Sequence, residues 1–384
     1  RTLGLAEYSA HHLRADTQPK GVLMDFRHHQ DIEELRSMTV RWLEPISSSE
    51  SLLEAQAHPT GYDPKQWREL SELGLCSLLI DETYGGTGMG MEAMSAVCAL
   101  FGEYLLASPY FAHAMLACDL LNQSEAQQLK EQHLGDWAAG STLASVALTG
   151  SAHWDGNHLE GVWSYVPHGG QADAIIVQAI DRHGETVLLV VPQRDLSCST
   201  QHTLDQSRQQ AQLKAIRLSV DENALIARGT QAESLITFTH QRAIVALAHE
   251  QVGVAQACTS ASVEYAKTRK QFGEYIGKFQ AIKHLIADMY TELEAARSAA
   301  IYGTWCADHD AAQLPFAAYT AAHLASSACF NCAGQNIQIH GGIGFTWEHP
   351  AHLYFKRAQS SRTLLGTSID HLDQAAQLLE LETS

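Results

Sequence analysis

Long apolar runs are missing from this 384-residue chain. None approaches the ~18–20 residues that a membrane-spanning helix needs. Cations are scarce: 25 Lys and Arg stand against 43 Asp and Glu, a formal net charge of −18. A surface of that sign repels phosphate backbones and argues against a general nucleic-acid binder. A phosphorylated cofactor stays within reach, because a few local cations or a helix N-terminus can hold one. No basic segment followed by an apolar stretch opens the chain, and the final Leu-Glu-Thr-Ser matches no peroxisomal or retention signal. Gly-x-Ser-x-Gly is absent, so no nucleophile elbow is expected. No glycine fingerprint of the dinucleotide-binding type follows a strand-like segment. Internal repeats and low-complexity tracts are also lacking. The eight cysteines are scattered through apolar segments, which favours reduced, buried thiols and a cytoplasmic setting. Cys329 and Cys332 have no second pair to complete a zinc site and read as two residues on one helix face. His340, His349 and His352 lie close together in sequence, but no metal is assigned to them.

What is present reads as an ordinary globular protein: 45% hydrophobic and 18% charged residues, with a length suited to two or three domains. Residues 1–24 are polar, weakly patterned and read as a tail. Residues 25–136 carry apolar residues at helical spacing, interrupted by the turn-forming loop Asp81-Glu-Thr-Tyr-Gly-Gly-Thr-Gly-Met-Gly90. Residues 137–239 read as short strands, including Leu143–Thr149, Ile175–Ile180 and Thr186–Val191, with a hairpin turn at Asp181–Glu185. Even spacing of short strands suggests a small barrel. Residues 240–384 return to helix and read as a four-helix bundle, with helices from His240, over Gln280–Trp305 and Leu314–His340, and from Ser368 to Leu381.

Three segments make this order specific. They are Tyr265-Ala-Lys-Thr-Arg-Lys-Gln-Phe-Gly273 with the following Ile276–His284 run, Gln338-Ile-His-Gly-Gly-Ile-Gly-Phe-Thr346, and Tyr84-Gly-Gly-Thr-Gly88. Together they resemble the acyl-CoA dehydrogenase family of flavoproteins, from about Asp25 to the C-terminus. The resemblance implies an N-terminal helical domain, a central β-barrel and a C-terminal four-helix bundle. It also implies a dimer or dimer of dimers, with FAD reaching a neighbouring subunit. The implied chemistry is α,β-desaturation of an acyl-CoA thioester, with electrons passing to an electron-transfer flavoprotein. A carboxylate takes the α-proton as the β-hydrogen leaves as hydride to the flavin. FAD-contacting positions carried over are Arg269, Phe272, Gln280, Gln338, Gly341, Gly342, Thr149, Tyr165 and Thr367. Their chemistry suits a flavin nucleotide. Arg269 offers a donor fork for a pyrophosphate, Phe272 can pack beside a ring, and the glycines allow close backbone approach.

The departures from the family pattern are as informative. Where the barrel segment ends in Gly-Ser-Asp, this chain has Val146-Ala-Leu-Thr-Gly-Ser-Ala-His-Trp-Asp155 and keeps only Thr149. Where many members place the catalytic Glu before the last helix, this chain has Leu365, which cannot accept a proton. Where another branch places it 26 residues before the motif arginine, this chain has Ala243. Glu250 lies seven residues further along the same helix, on the same face but about 10 Å away along the axis. It is the candidate base; the alternative is a structural carboxylate paired with Arg242, His249 or a neighbouring chain. The vacant positions suggest one subunit of a heterotetramer in which a related chain supplies the base, acting on a bulky acyl-CoA such as a steroid side chain. Two other readings stand beside it: a self-sufficient homo-oligomer using Glu250, and a flavin-free structural partner.

Overall fold

The structure is a computed structural model and describes residues 30–380. The tail expected over residues 1–24 lies outside the described residues. Six helices build the first domain: α1 Gln30–Leu43, α2 Ser49–Ala57, α3 Pro64–Glu72, α4 Gly90–Glu103, α5 Asp119–Gln123 and α6 Gln127–Ala138. In α1, Ile32, Leu35, Thr39 and Leu43 fall at helical spacing and are the buried side. Helix α4 is buried along most of its length. A π-helical segment, Phe111–Cys118, runs into α5. The predicted glycine loop is a tight turn before α4. A side chain at Gly86 would run into the Ile80 carbonyl, and Gly90 sits at φ +78°.

Eight strands follow: β1 Ala144–Ala147, β2 Gly150–Trp154, β3 His158–Pro167, β4 Ala174–Asp181, β5 Thr186–Pro192, β6 Ser197–Gln201, β7 Gln210–Ser219 and β8 Leu225–Arg228. They form one sheet in the order β6-β7-β3-β2-β4-β5-β8, with β1 pairing β4 in parallel. Strands β4 and β5 are joined by the expected hairpin, in which the Asp181 carboxylate accepts from the amides of His183 and Glu185. The expected barrel is not closed: β6 pairs only β7, and β8 pairs only β5. Instead of closing on itself, the sheet packs Trp154, Trp163, Leu159, Ile175, Val177, Val187, Leu189 and Leu213 into its own cluster.

The last part is helical. Helix α7 runs from Thr230 to Thr268, then a hairpin of β9 Lys270–Gln271 and β10 Glu274–Tyr275 leads to α8 Gln280–His309. Helices α9 Leu314–His340, α10 Ala351–Ser361 and α11 Ser368–Glu380 complete it. The boundary drawn at 239/240 therefore falls inside α7, which starts ten residues earlier behind Gly229 (φ +58°). Alanines at 248, 255, 296, 300, 321, 325 and 328 line the contacts of α7, α8 and α9, and their small side chains let these helices approach closely. Helices α4 and α7 cross backbone to backbone. A Cβ built on Gly102 would collide with the Glu250 carbonyl, and one on Gly253 with that of Ala99. Among the described residues no helix is long and apolar enough to cross a membrane. Seven cysteines are buried, while Cys198 on β6 is exposed, unlike the expectation for all eight.

Candidate functional site

The carried-over residues fall into three groups. Arg269, Phe272 and Gln280 lie on and beside the hairpin after α7. Its two central residues, Phe272 (φ +53°) and Gly273 (φ +81°), both take the left-handed conformation that a two-residue hairpin turn requires. A phenylalanine is strained in that conformation. It leaves the Phe272 ring 94% exposed, edge-on to Phe279 at 6.3 Å between ring centres. Arg269 is exposed and makes no ion pair among the described residues. The Gln280 amide lies 3.3 Å from a His284 ring nitrogen.

Gln338, Gly341 and Gly342 form the second group, at the end of α9. All three are exposed, and a Cβ built on either glycine would meet only open space. The first two groups are tied together by a ring pair that assignment by motif position overlooked. Tyr265 near the end of α7 lies 4.2 Å from His340 at the end of α9, between ring centres, and His349 lies 4.3 Å beyond. The His340 Nδ1 lies 2.8 Å from the Asn336 carbonyl, which orients the ring. Both Tyr265 and His340 stand inside the segments that carried the resemblance.

Thr149, just before β2, and Tyr165, on β3, form the third group, at one end of the β2–β3 pair, where Gly150 faces Trp163. Tyr165 also sits at positive φ (+58°), and its ring is 63% exposed. Its amide donates to Gln201 Oε1 at 2.6 Å. Thr367 stands apart from these. Its hydroxyl and amide both bond to Asp370 Oδ2, at 2.7 and 2.9 Å, and so cap α11. An exposed guanidinium, uncovered aromatic rings and open glycine backbone suit the parts of a flavin nucleotide. This chain's residues thus fit FAD on the hairpin, glycine and β2–β3 surfaces.

The base positions look different. Ala243 is sealed in the core. The Leu365 side chain packs against the same core, and its carbonyl lies 2.9 Å from a His240 ring nitrogen. Glu250 is buried in a cluster of ions. Its Oε1 lies 2.5 Å from Arg208 Nη2 and 3.1 Å from Arg357 Nη1. Arg357 donates further to Asp205 at 3.0 Å, to Ser207 Oγ at 2.6 Å and to the Leu106 carbonyl at 3.0 Å. Arg208 reaches Ser361 Oγ at 3.2 Å. Burial alone would lower the Arg357 pKa, but Asp205 and Glu250 outweigh it and hold it above its ordinary value. Burial likewise would raise Asp205, and the two guanidinium groups outweigh it and hold the carboxyl below its usual range.

The expected partners of Glu250 are therefore replaced. Arg242 instead makes a bidentate, buried pair with Asp119 at 2.9 and 3.0 Å, and His249 Nε2 lies 2.8 Å from Thr304 Oγ1. Arg208 and Arg357 carried no signal in the sequence, because only the fold brings them to α7. The cavity that Glu250 lines, with Phe101, Tyr110, Phe111, Arg208 and Arg357, holds about 20 Å³. That is room for about one water. A thioester with its α- and β-carbons does not fit against this carboxylate.

Comparison with known proteins gives the family. The sequence profile of the acyl-CoA dehydrogenase N-terminal domain matches residues 30–141, and that of the C-terminal domain matches residues 231–379. The acyl-CoA dehydrogenase IpdE2 of Mycobacterium tuberculosis is 34% identical over 312 residues, covering 81% of this chain and 85% of that protein. This chain belongs to the acyl-CoA dehydrogenase family. Among solved structures, the ChsE4–ChsE5 complex of Mycobacterium tuberculosis contains a chain that superposes with a TM-score of 0.86 at 25% identity. That match covers 93% of this chain and 99% of the other. A variant of the Tcur3481–Tcur3483 steroid acyl-CoA dehydrogenase gives 0.83 at 25% identity, covering 92% and 99%. As an acyl-CoA dehydrogenase, the chain belongs to a family of oxidoreductases that use flavin. In this member the two positions expected for the base hold Leu365 and Ala243.

Proposed function

We propose that this chain is the non-catalytic subunit of a heteromeric, FAD-dependent acyl-CoA dehydrogenase that desaturates a bulky acyl-CoA, such as a steroid side-chain thioester. The observation that carries the reading is the state of Glu250. It lies on the same helix as one of the expected base positions, and it is held by Arg208 and Arg357 beside a cavity of about 20 Å³. A general base must reach the proton that it removes within about 3 Å, directly or through one water. Glu250 commits Oε1 to both guanidinium groups, and the cavity beside it has room for about one water but not for a thioester.

In this reading FAD supplies the hydride acceptor when bound, and this chain's part is to hold it. Arg269 faces the pyrophosphate, Phe272 and Tyr165 pack beside rings, and Gly341 and Gly342 let backbone approach. Gln280, Gln338 and Thr149 complete the contacts, while Thr367 serves first as a helix cap. A related subunit supplies the carboxylate, and electrons leave to an electron-transfer flavoprotein. The likeness to a chain of the ChsE4–ChsE5 complex and to a steroid acyl-CoA dehydrogenase supports the heteromer and the bulky substrate. The test is to purify the chain alone and with related chains co-expressed, recording the flavin spectrum, the native mass and bleaching on adding acyl-CoA. Flavin reduction by the chain alone at ordinary rates, abolished by Glu250→Gln, would return the base to Glu250.

A further inference from the structure

The ends of α7 and α9 meet differently from the rest of the two helices. Along most of their contact the buried residues are small, among them Ala248, Ala255, Cys258, Ala321, Ala325 and Cys329. Small side chains bring helix axes close together. At the last turns the contact changes to rings. Tyr265 lies over His340, with 4.2 Å between ring centres and 30° between ring planes. His349, in the segment before α10, lies 4.3 Å from His340. Two rings in place of two methyl groups act as a spacer between the helix ends.

The spacer is anchored one turn back along both helices. Ser262 and Tyr265 are three apart on α7, and Asn336 and His340 four apart on α9, so each pair shares a helix face. Ser262 Oγ lies 3.0 Å from Asn336 Oδ1, and both residues are buried. The Asn336 carbonyl can only accept, so His340 Nδ1, 2.8 Å away, donates to it and the ring is fixed in orientation. His340 is itself buried.

Each ring belongs to a residue that holds one of the two groups of expected flavin contacts. The Tyr265 carbonyl accepts the Arg269 amide at 2.8 Å, at the point where the hairpin leaves α7. The Arg269 carbonyl accepts in turn from the Ile276 amide at 2.9 Å, which closes the hairpin. His340 immediately precedes Gly341, at φ +66°, whose amide donates to the Ile337 and Gln338 carbonyls. Further round the same turn, a Cβ added to Gly344 would come within 3.2 Å of the His340 Cβ.

We infer that Tyr265 and His340 are positioning residues for the flavin nucleotide: their rings fix the separation of the Arg269–Phe272 hairpin from the Gly341–Gly342 backbone. The inference rests on the reading of those two groups as flavin contacts. Losing the ring pair, and with it the alignment of the two groups, is expected to weaken flavin binding about tenfold.

The test uses the assembly that purifies with flavin, stripped of FAD and titrated with it again while flavin fluorescence is followed. Tyr265→Leu keeps bulk and removes the ring. His340→Asn removes the ring and keeps a donor for the Asn336 carbonyl. Each should weaken FAD binding about tenfold, with the melting temperature of the flavin-free protein within a few degrees of the native one. Tyr265→Phe, which keeps the ring, should bind within about twofold of native. Where Arg269→Leu is already present, Tyr265→Leu should cost less than about threefold more, because the ring acts through the hairpin. Native affinity in both ring-less variants, Tyr265→Phe as weak as Tyr265→Leu, or full additivity with Arg269→Leu overturns the inference. So does a loss of affinity that only follows a lowered melting temperature. In each of these cases a loss of flavin in Arg269→Leu leaves the reading of the flavin site standing. FAD missing from every preparation, or held normally by Arg269→Leu, overturns that reading and the inference with it.

Discussion

Arg208 and Glu250 lie 2.5 Å apart and sealed from solvent, although 42 residues separate them in the chain. Arg208 comes from the segment between β6 and β7, and Glu250 from the middle of α7. With Arg357 on α10 and the Leu106 carbonyl after α4, the cluster joins the sheet to both helical parts. A carboxylate used in this way ties the sheet to both helical parts.

Removing the charge should therefore cost stability. Glu250→Gln leaves Arg208 buried without its carboxylate, while Arg357 keeps Asp205. The expected loss is about 3–5 kcal/mol, as for breaking other buried pairs. Urea unfolding measures it. The double variant Arg208→Met/Glu250→Gln should recover part of the loss, because no uncompensated charge then remains at position 208.

Acid should weaken the fold well above the carboxylate range. His113 is buried in the π-helical segment, its Nδ1 accepting from the Ala144 amide at 3.0 Å and its Nε2 lying 2.9 Å from the Trp137 carbonyl. Burial holds its pKa down to about 4. Between about pH 6.5 and 4 the unfolded chain binds a proton at this site and the folded chain does not. Stability is thus fully present above pH 6.5 and falls as the pH drops towards 4, by up to about 3 kcal/mol from this group. His113→Gln should be less stable at pH 7 and show a shallower slope across that window in pH-dependent urea melts.

The α4–α7 crossing should tolerate no added carbon. Gly102→Ala and Gly253→Ala each force a methyl group into a backbone carbonyl of the facing helix. Each should lower stability by about 1–3 kcal/mol or more, the usual range for overpacking. Gly85→Ala, with open space around its Cβ but φ +82°, should cost less, through backbone strain alone.

The residues proposed as flavin contacts should behave in the opposite way. Arg269→Leu and Phe272→Ala alter exposed side chains. Melting temperature of the flavin-free chain should stay within a few degrees, while the ratio of flavin to protein absorbance falls several-fold. Phe272→Gly should also relieve strain at φ +53° and slightly stabilise the hairpin.

Much of this was legible in the sequence. The helix–strand–helix order, the Asp181 hairpin, the glycine loop and the starts of α8, α9 and α11 all follow local patterns of period and turn residues. The start of α7 did not, because Leu235-Ile-Thr-Phe-Thr239 is rich in β-branched and aromatic residues, and tertiary packing overrides that preference. Closure of a sheet depends on pairing between its first and last strands, which strand spacing leaves open. The site was split in the same way. Motif residues such as Arg269 and Gly341 sit in contiguous segments and could be named. The ion cluster draws on residues 205–208, 250 and 357, with no sequence spacing to connect them.

The most direct measurement mixes the purified chain, alone and in complex with a co-expressed related subunit, with acyl-CoA under anaerobic conditions and follows flavin absorbance. The account predicts no bleaching by the chain alone. It predicts rapid bleaching by the complex, at a rate that Glu250→Gln leaves within about tenfold when the complex stays assembled. Rapid bleaching by the chain alone, lost on Glu250→Gln in a variant that still folds and binds flavin, would contradict it.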